Sequence, residues 1–199
     1  MIQQKYIVAI TGASGSIYGL RLVKALMTLP VSLYVLVSES GRQVMAHETD
    51  FKSGALADYL KQNDVVFHGM SELMEIDPSD SFAAVASGSF QHDGMVIAPC
   101  SMNTLAAIST GITNNLIHRA ADVCLKEKRP LILLPRETPL SLIHLKNMTR
   151  AAKAGAIIMP PSPGFYNHPE TIEDLVDTIV ARVFDHLGLE NDLAERWGS

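Results

Sequence analysis

The sequence has few cysteines and no long hydrophobic run. Its two cysteines, Cys100 and Cys124, lie in apolar stretches and lack the spacing of a zinc site or a disulfide framework. We therefore expect a reducing compartment and, with no run of membrane-spanning length and no signal-peptide pattern at the start, a cytoplasmic location. The seven histidines also lack the spacing of metal ligands, so we expect a reaction without a metal.

Basic clusters are absent as well. Sixteen Lys and Arg residues stand against 21 Asp and Glu residues, and the formal net charge is -5. Because the sequence contains no basic block and no stripe of basic and aromatic residues, we do not expect a nucleic acid as partner. A few converging cations can still bind a phosphate on an acidic protein, so single Arg and Lys residues near predicted loops become candidates.

Short runs rich in Val and Ile alternate with helical patterns. These runs are continuously apolar, which is typical of parallel strands covered by helices on both faces. They cover residues 5–11, 31–37, 94–98, 130–134 and 156–159. The pattern predicts a three-layer, Rossmann-like α/β fold in a single domain over residues 1–199.

Helices are predicted most clearly in the second half of the chain. Apolar residues recur at helical spacing between Pro169 and Gly188, and a second such stripe covers residues 115–127. A short tail follows the C-terminal helix. Residues 52–90 have weaker periodicity, and we predict there a helix followed by a mobile excursion over one end of the sheet.

A turn of small residues, 12–16, joins the first predicted strand to a helix that restarts at Ile17. The first N–H groups of such a helix lack partners and its positive dipole end attracts an anion, so the turn predicts a phosphate site. Ser14 and Ser16 can add hydroxyl donors. The glycine spacing matches neither the dinucleotide fingerprint nor the P-loop. An ordinary turn with Ser as the N-cap explains the same residues.

Small polar residues follow four of the predicted strands, at residues 12–14, 38–40, 99–104 and 135–138. Because the carboxyl ends of parallel strands meet at one rim, we expect these segments to form one ligand crevice. Helix N-caps explain each segment separately. They do not explain Arg136 and Glu137, two charges directly after a buried strand, which favour a ligand or partner at that position.

Several motifs together resemble the UbiX-type flavin prenyltransferases. The resemblance extends from residue 5 to residue 197, and its motifs lie at residues 11–15, 48–50, 87–89, 99–101, 115–122, 129–131, 135–139 and 163–166. It implies a flavodoxin-like sheet that binds FMN and a metal-independent transfer of the dimethylallyl group from dimethylallyl phosphate to N5 and C6 of reduced FMN.

The same resemblance implies where the product goes and how the protein assembles. Prenylated FMN is the cofactor of UbiD-type decarboxylases, which act in ubiquinone biosynthesis or in aromatic acid decarboxylation. Members of the family form homo-oligomers, commonly dodecamers, in which subunits share sites.

The resemblance also implies roles for individual residues. The residues implied to hold FMN are Gly12, Ala13, Ser14, Ser38, Ser101, Met102, Asn103, Thr104 and Arg136. Those implied to bind dimethylallyl phosphate are Ser87, Gly88, Tyr166, Arg182 and Trp197, the last from a tail that packs against a neighbouring subunit. Those implied to act in catalysis are Ser14, Glu48, Arg119, Lys126 and Glu137. His118 differs from relatives that have an acidic residue beside the matching Arg.

Two other functions remain as alternatives. A flavin-dependent cysteine decarboxylase of the pantothenoylcysteine type would share the fold and a loop like residues 101–104. The catalytic His of that family has no counterpart here, and residues 136–139 favour the prenyltransferase. A flavin-binding electron carrier is the third class, but FMN has a single phosphate and does not need cations at positions 119, 126, 136 and 182.

Overall fold

The computed structural model describes residues 3–195, which form a six-stranded parallel sheet between two layers of helices. The strands are β1 (Gln4–Ile10), β2 (Val31–Val37), β3 (Glu72–Ile76), β4 (Gly94–Cys100), β5 (Leu131–Pro135) and β6 (Ile157–Ile158). Their order in the sheet is β3-β2-β1-β4-β5-β6, and all neighbours pair in parallel. This is the Rossmann-like doubly wound order, whose direction switches between β1 and β4. The predicted three-layer α/β fold is confirmed.

Helices cover both faces of the sheet. They are α1 (Ser16–Met27), α2 (Glu39–Glu48), α3 (Leu56–Gln62), α4 (Met102–Thr110), α5 (Leu116–Lys126), α6 (Leu142–Lys153) and α7 (Ile172–Leu187). One core contains Val8 of β1 with side chains of α1, α3 and α7, and the other contains Ile97 of β4 with side chains of α4 and α5. Central strands are apolar on both sides because both of their faces are buried.

The ends of α7 follow from local sequence. Thr171 and Asp174 form a capping box, in which Asp174 N donates to Thr171 Oγ1 at 3.1 Å and Thr171 N donates to the Asp174 carboxylate at 2.9 Å. Gly188 ends the helix with φ 70°, a left-handed conformation that glycine adopts at low cost. The helix predicted between Pro169 and Gly188 is therefore confirmed. No helix within residues 3–195 combines the length and apolarity needed to cross a membrane.

The prediction for residues 52–90 is wrong in one respect. The segment contains the expected helix, α3, but it also contributes edge strand β3, where an excursion was predicted. β3 is short, only partly buried and includes Glu72 and Glu75, and glutamate is depleted in strands. Pairing with β2 and the ion pair between Glu75 and Arg42 stabilise it, and neither is visible in local sequence.

Candidate functional site

Thr11 joins the loops that follow β1 and β4, at the switch point of the sheet. Its Oγ1 donates to Pro99 O at 2.8 Å and accepts from Ser101 N at 2.8 Å. The side chain is buried, so these two bonds are protected from water. Thr11 opens the motif at residues 11–15, but no role was predicted for its side chain.

The N-terminus of α1 is paired with a carboxylate of the protein itself. Glu48, the last residue of α2, accepts hydrogen bonds through Oε2 from Gly15 N at 2.9 Å and Ser16 N at 3.0 Å. Desolvation raises the pKa of Glu48, but hydrogen bonds from Ser14, Ser16 and Gly15 outweigh it and hold that pKa below its usual value. The Gly15 and Ser16 amides expected to attract a phosphate are thus already bound to an anion.

Two further helix N-termini point to the same edge of the sheet. Ser38 Oγ accepts from Gly41 N at 3.0 Å at the start of α2, and Ser101 Oγ accepts from Thr104 N at 3.2 Å at the start of α4. Helical geometry leaves the other N–H groups of each first turn without an intrahelical partner. A Cβ on Gly12 would lie 2.3 Å from Ser40 Oγ, so α2 begins directly against the loop after β1.

Arg136 connects the loop after β5 to this edge. Its Nε donates to Ser14 O at 3.1 Å, and its backbone N donates to Cys100 O at 3.3 Å. Glu137 beside it is exposed, and its carboxylate accepts from Thr138 N at 3.0 Å. The loops after β1, β2, β4 and β5 therefore meet at one edge, as their sequences predict. We call the predicted site residues there the rim group: Gly12, Ala13, Ser14, Ser38, Glu48, Ser101, Met102, Asn103, Thr104, Arg136 and Glu137.

A second set of predicted site residues lies along α5. Arg119 and Lys126 are seven positions apart and so share one helix face, about 10 Å from each other. Arg119 Nε donates to Ala86 O at 3.1 Å, and a Cβ on Gly88 would lie 2.8 Å from Lys126 Nζ. The turn at Ser87 and Gly88 therefore runs beside the helix. We call these four residues, Ser87, Gly88, Arg119 and Lys126, the α5 group.

His118 adds no charge to this group at neutral pH. It is 3% exposed, and its Nδ1 lies 2.6 Å from Asn114 Oδ1 in a hydrogen bond. Burial lowers the pKa of His118, which favours the neutral ring. The positive charge of Arg119 is balanced instead by Asp122, whose Oδ2 accepts from Arg119 NH1 at 2.9 Å.

A cleft of about 1310 Å³ is lined by one residue of the rim group and by one residue of the α5 group. Ser38 lines it from the end of β2, and Arg119 lines it from the first turns of α5. Arg42 and Glu75, which form an ion pair, line it as well. Lys126 lies at the opposite end of α5, away from this cleft.

Tyr166 and Arg182, which we call the α7 group, line a different cleft of about 820 Å³ together with Asn167, Asp185 and Asn191. Arg182 NH1 donates to Asp185 Oδ2 at 3.0 Å. Trp197 lies outside the described residues. Within the part of the chain that the structure describes, the rim group, the α5 group and the α7 group do not form one pocket. Across residues 3–195, no three His, Cys, Asp or Glu side chains are grouped so that they could hold a metal ion.

The doubly wound fold and the donors at its edge define a flavin-binding class of protein, and the similarity of the chain to known proteins agrees with that class. The Flavoprotein family model matches residues 1–184. The flavin prenyltransferase UbiX of Pseudomonas aeruginosa is 45% identical over 197 residues, which cover 98% of this chain and 94% of the relative. The chain belongs to the UbiX family of flavin prenyltransferases.

Solved structures of relatives have the same fold. The crystal structure of AnUbiX (PadA1) in complex with FMN and dimethylallyl pyrophosphate is 40% identical, with a TM-score of 0.89, and covers 99% of this chain and 98% of that one. The dodecameric FMN-dependent UbiX-like decarboxylase from Escherichia coli O157:H7 is 43% identical, with a TM-score of 0.86. The match covers 98% of this chain and 100% of that one. The peptidyl-cysteine decarboxylase EpiD, at 17% identity and a TM-score of 0.59, is similar in fold alone, so the prenyltransferase is favoured over the cysteine decarboxylase.

Proposed function

We propose that this protein transfers the dimethylallyl group of dimethylallyl phosphate to N5 and C6 of reduced FMN and releases phosphate. The observation that carries the proposal is the number of cations in the three groups: Arg119, Lys126, Arg136 and Arg182. FMN has one phosphate, so this set fits a second phosphate-bearing substrate. Its relative AnUbiX binds FMN and dimethylallyl pyrophosphate together, which supports the same pair of ligands here.

The rim group fits FMN by the chemistry of its donors. It offers the hydroxyls of Ser14, Ser38 and Ser101 and the first-turn amides of α2 and α4. It also offers the guanidinium of Arg136, which donates to Ser14 O through Nε. Such donors suit a phosphate and the polar edge of a flavin. The Gly15 and Ser16 amides at the start of α1 already donate to Glu48. We therefore infer that the FMN phosphate binds to the other donors of the rim group.

Reduced FMN, when bound, supplies the electron-rich atoms that accept the dimethylallyl group. The chain supplies stabilisation of the leaving group. As the allylic C–O bond breaks, negative charge develops on the phosphate, and Arg119, Lys126 and Arg182 are the fixed cations that stabilise it. Ser87, Gly88 and Tyr166 contribute hydrogen-bond donors, and no metal is required. In this proposal Glu137 carries a proton, and ionised Glu48 orients Ser14.

Neighbouring copies of the chain bring the three groups together in this proposal. The α6 residues Leu142, Ile143 and Leu145 are 65%, 70% and 47% exposed, which supports association through an apolar surface on this helix. A dodecameric relative supports a homo-dodecamer.

We further propose a single domain over residues 1–199, a cytoplasmic location, packing of Trp197 against a neighbouring subunit, and a UbiD-type decarboxylase as recipient of the product.

Anaerobic incubation with reduced FMN and dimethylallyl phosphate is expected to release a flavin heavier by one C5H8 unit, detected by mass spectrometry. Arg119→Met is expected to retain FMN and slow the reaction, since Arg119 lies outside the rim group, whereas Arg136→Met is expected to lose FMN. Dimethylallyl alcohol, which lacks the phosphate, serves as the substrate control. An unchanged flavin mass with the wild-type protein contradicts the proposed function.

Replacing Thr11 by Val is expected to weaken FMN binding about tenfold, because two buried hydrogen bonds between the loops after β1 and β4 are lost while side-chain shape is kept. Titration of FMN by fluorescence quenching measures this change. Thr11→Ser is the matched control, since it keeps the hydroxyl and is expected to bind FMN within about twofold of wild type. A Val variant with wild-type affinity is the contrary result.

A further inference from the structure

Residues 86–90, which we call the strap, are held through three alternate carbonyl groups. Arg119 Nε donates to Ala86 O at 3.1 Å. Arg129, in the turn between α5 and β5, donates from NH2 to Gly88 O at 2.7 Å and from NH1 to Phe90 O at 2.6 Å. Both arginines are only partly exposed, so these charge-assisted bonds are partly shielded from water.

The end of the strap is anchored by the ring of Phe90. This ring meets Tyr34 edge to face with centroids 5.0 Å apart and stacks on His92 at 6.2 Å. Lys5 Nζ lies 5.3 Å from the Phe90 centroid. The strap is therefore fixed to the body of the sheet at Phe90, to α5 at Ala86, and to the turn after α5 at Gly88 and Phe90.

The middle of the strap presents donors beside Lys126. A Cβ on Gly88 would lie 2.4 Å from Glu127 Oε1 and 2.8 Å from Lys126 Nζ, so only a residue without a side chain allows this approach. Ser87 Oγ and Ser89 Oγ are 2.8 Å apart, and both residues are exposed. An ammonium group, paired with the Glu127 carboxylate at 2.7 Å, and two hydroxyls thus lie on one short surface.

We propose that Arg129 is a positioning residue for the phosphate of dimethylallyl phosphate. By holding Gly88 O and Phe90 O together, its guanidinium keeps Ser87 and Gly88 beside Lys126. Arg129 acts through the strap and does not touch the substrate. The inference rests on the proposed function, and it explains why the motif at residues 129–131 begins with Arg, since Lys cannot hold two carbonyls in one planar fork.

Arg129→Lys tests this proposal in the full-length oligomer. Backbone amides of residues 87–91 are expected to exchange hydrogen for deuterium at least about tenfold faster, since two charge-assisted bonds become at most one. We expect KM for dimethylallyl phosphate to rise about tenfold, with kcat changed by less than about threefold and FMN affinity unchanged. Lys128→Asn is the matched control, because it removes the neighbouring cation, suits the left-handed φ of 56° at that position and leaves the strap untouched.

Gly88→Ala is the second variant, in case Arg129→Lys folds poorly. Its Cβ displaces the flexible ends of Lys126 and Glu127, so the same rise in KM is expected with FMN affinity unchanged. Unchanged hydrogen exchange or an unchanged KM in Arg129→Lys overturns the inference. If that variant does not fold, an unchanged KM in Gly88→Ala overturns it.

If the wild-type protein does not prenylate FMN, the proposed function fails and titration with inorganic phosphate decides the inference instead. Tighter phosphate binding by wild type than by Arg129→Lys, or than by Gly88→Ala if the former does not fold, supports it. Equal binding, or none, overturns it.

Discussion

Arg119→Met and Arg182→Met, each nearly inactive alone, are expected to recover activity when the two proteins are dissociated, mixed in equal amounts and reassembled. Each substitution removes one cation proposed to stabilise the leaving phosphate, so turnover of each variant is expected to fall about 100-fold or more. Arg119 lines the cleft of about 1310 Å³ and Arg182 the cleft of about 820 Å³, so one protomer does not place both at one substrate. If two copies supply them, mixed assemblies contain intact sites.

The expected recovery follows from the composition of the mixed sites. In the proposed assembly, a site takes its α5 group from one copy and its α7 group from another, and each position is filled at random by either variant. About one quarter of the sites then combine the intact α5 group with the intact α7 group, so turnover is expected to reach about one quarter of wild type. This recovery, about 25-fold above either variant alone, is measured by the rate of prenylated flavin formation.

A mixture of Arg119→Met with Lys126→Met is the matched control. These two residues lie on the same helix, so every α5 group in this mixture carries one defect and no recovery is expected. Each single variant is also taken through dissociation and reassembly. Activity of the first mixture that stays at the level of its components contradicts a site shared between copies.

The meeting of four loops at one edge of the sheet could be predicted from the sequence because its signals are local. Apolar runs end where Ser38 and Ser101 begin helices as N-caps, and the parallel order of the strands brings those ends together. Likewise, the seven-residue spacing of Arg119 and Lys126 predicts a shared helix face. The doubly wound fold follows from the same local patterns.

The features that could not be predicted depend on contacts between distant segments. Glu48 binds the start of α1 from a position 33 residues away, and no local pattern distinguishes it from a solvated helix-end glutamate. β3 is an edge strand stabilised by its neighbour. The position of Arg119 and Arg182 in different clefts depends on the path of the whole chain, so sequence alone favoured one pocket.

Gly19 in α1 is the position where a single methyl group is expected to cost most stability. Alanine is the better helix former by about 1 kcal/mol, so helix propensity alone would make Gly19→Ala stabilising. In the structure, α1 packs so closely on β4 that a Cβ at Gly19 would lie 2.2 Å from Ala98 O and 2.9 Å from Ile10 Cγ1. The first neighbour is backbone and cannot rotate away.

Gly19→Ala is therefore expected to lower the free energy of unfolding by about 3 kcal/mol, since moving α1 off the sheet costs more than the helix propensity returns. Urea unfolding at one fixed protomer concentration measures the change, because association contributes to apparent stability. Gly69→Ala is the matched control: a Cβ there has no atom within 4 Å, and its expected effect is below about 0.5 kcal/mol. Since α1 also carries the loop of residues 12–14, the surviving Gly19→Ala protein is expected to bind FMN less tightly. An alanine variant as stable as wild type would mean that the packing of α1 on β4 is looser than the structure shows.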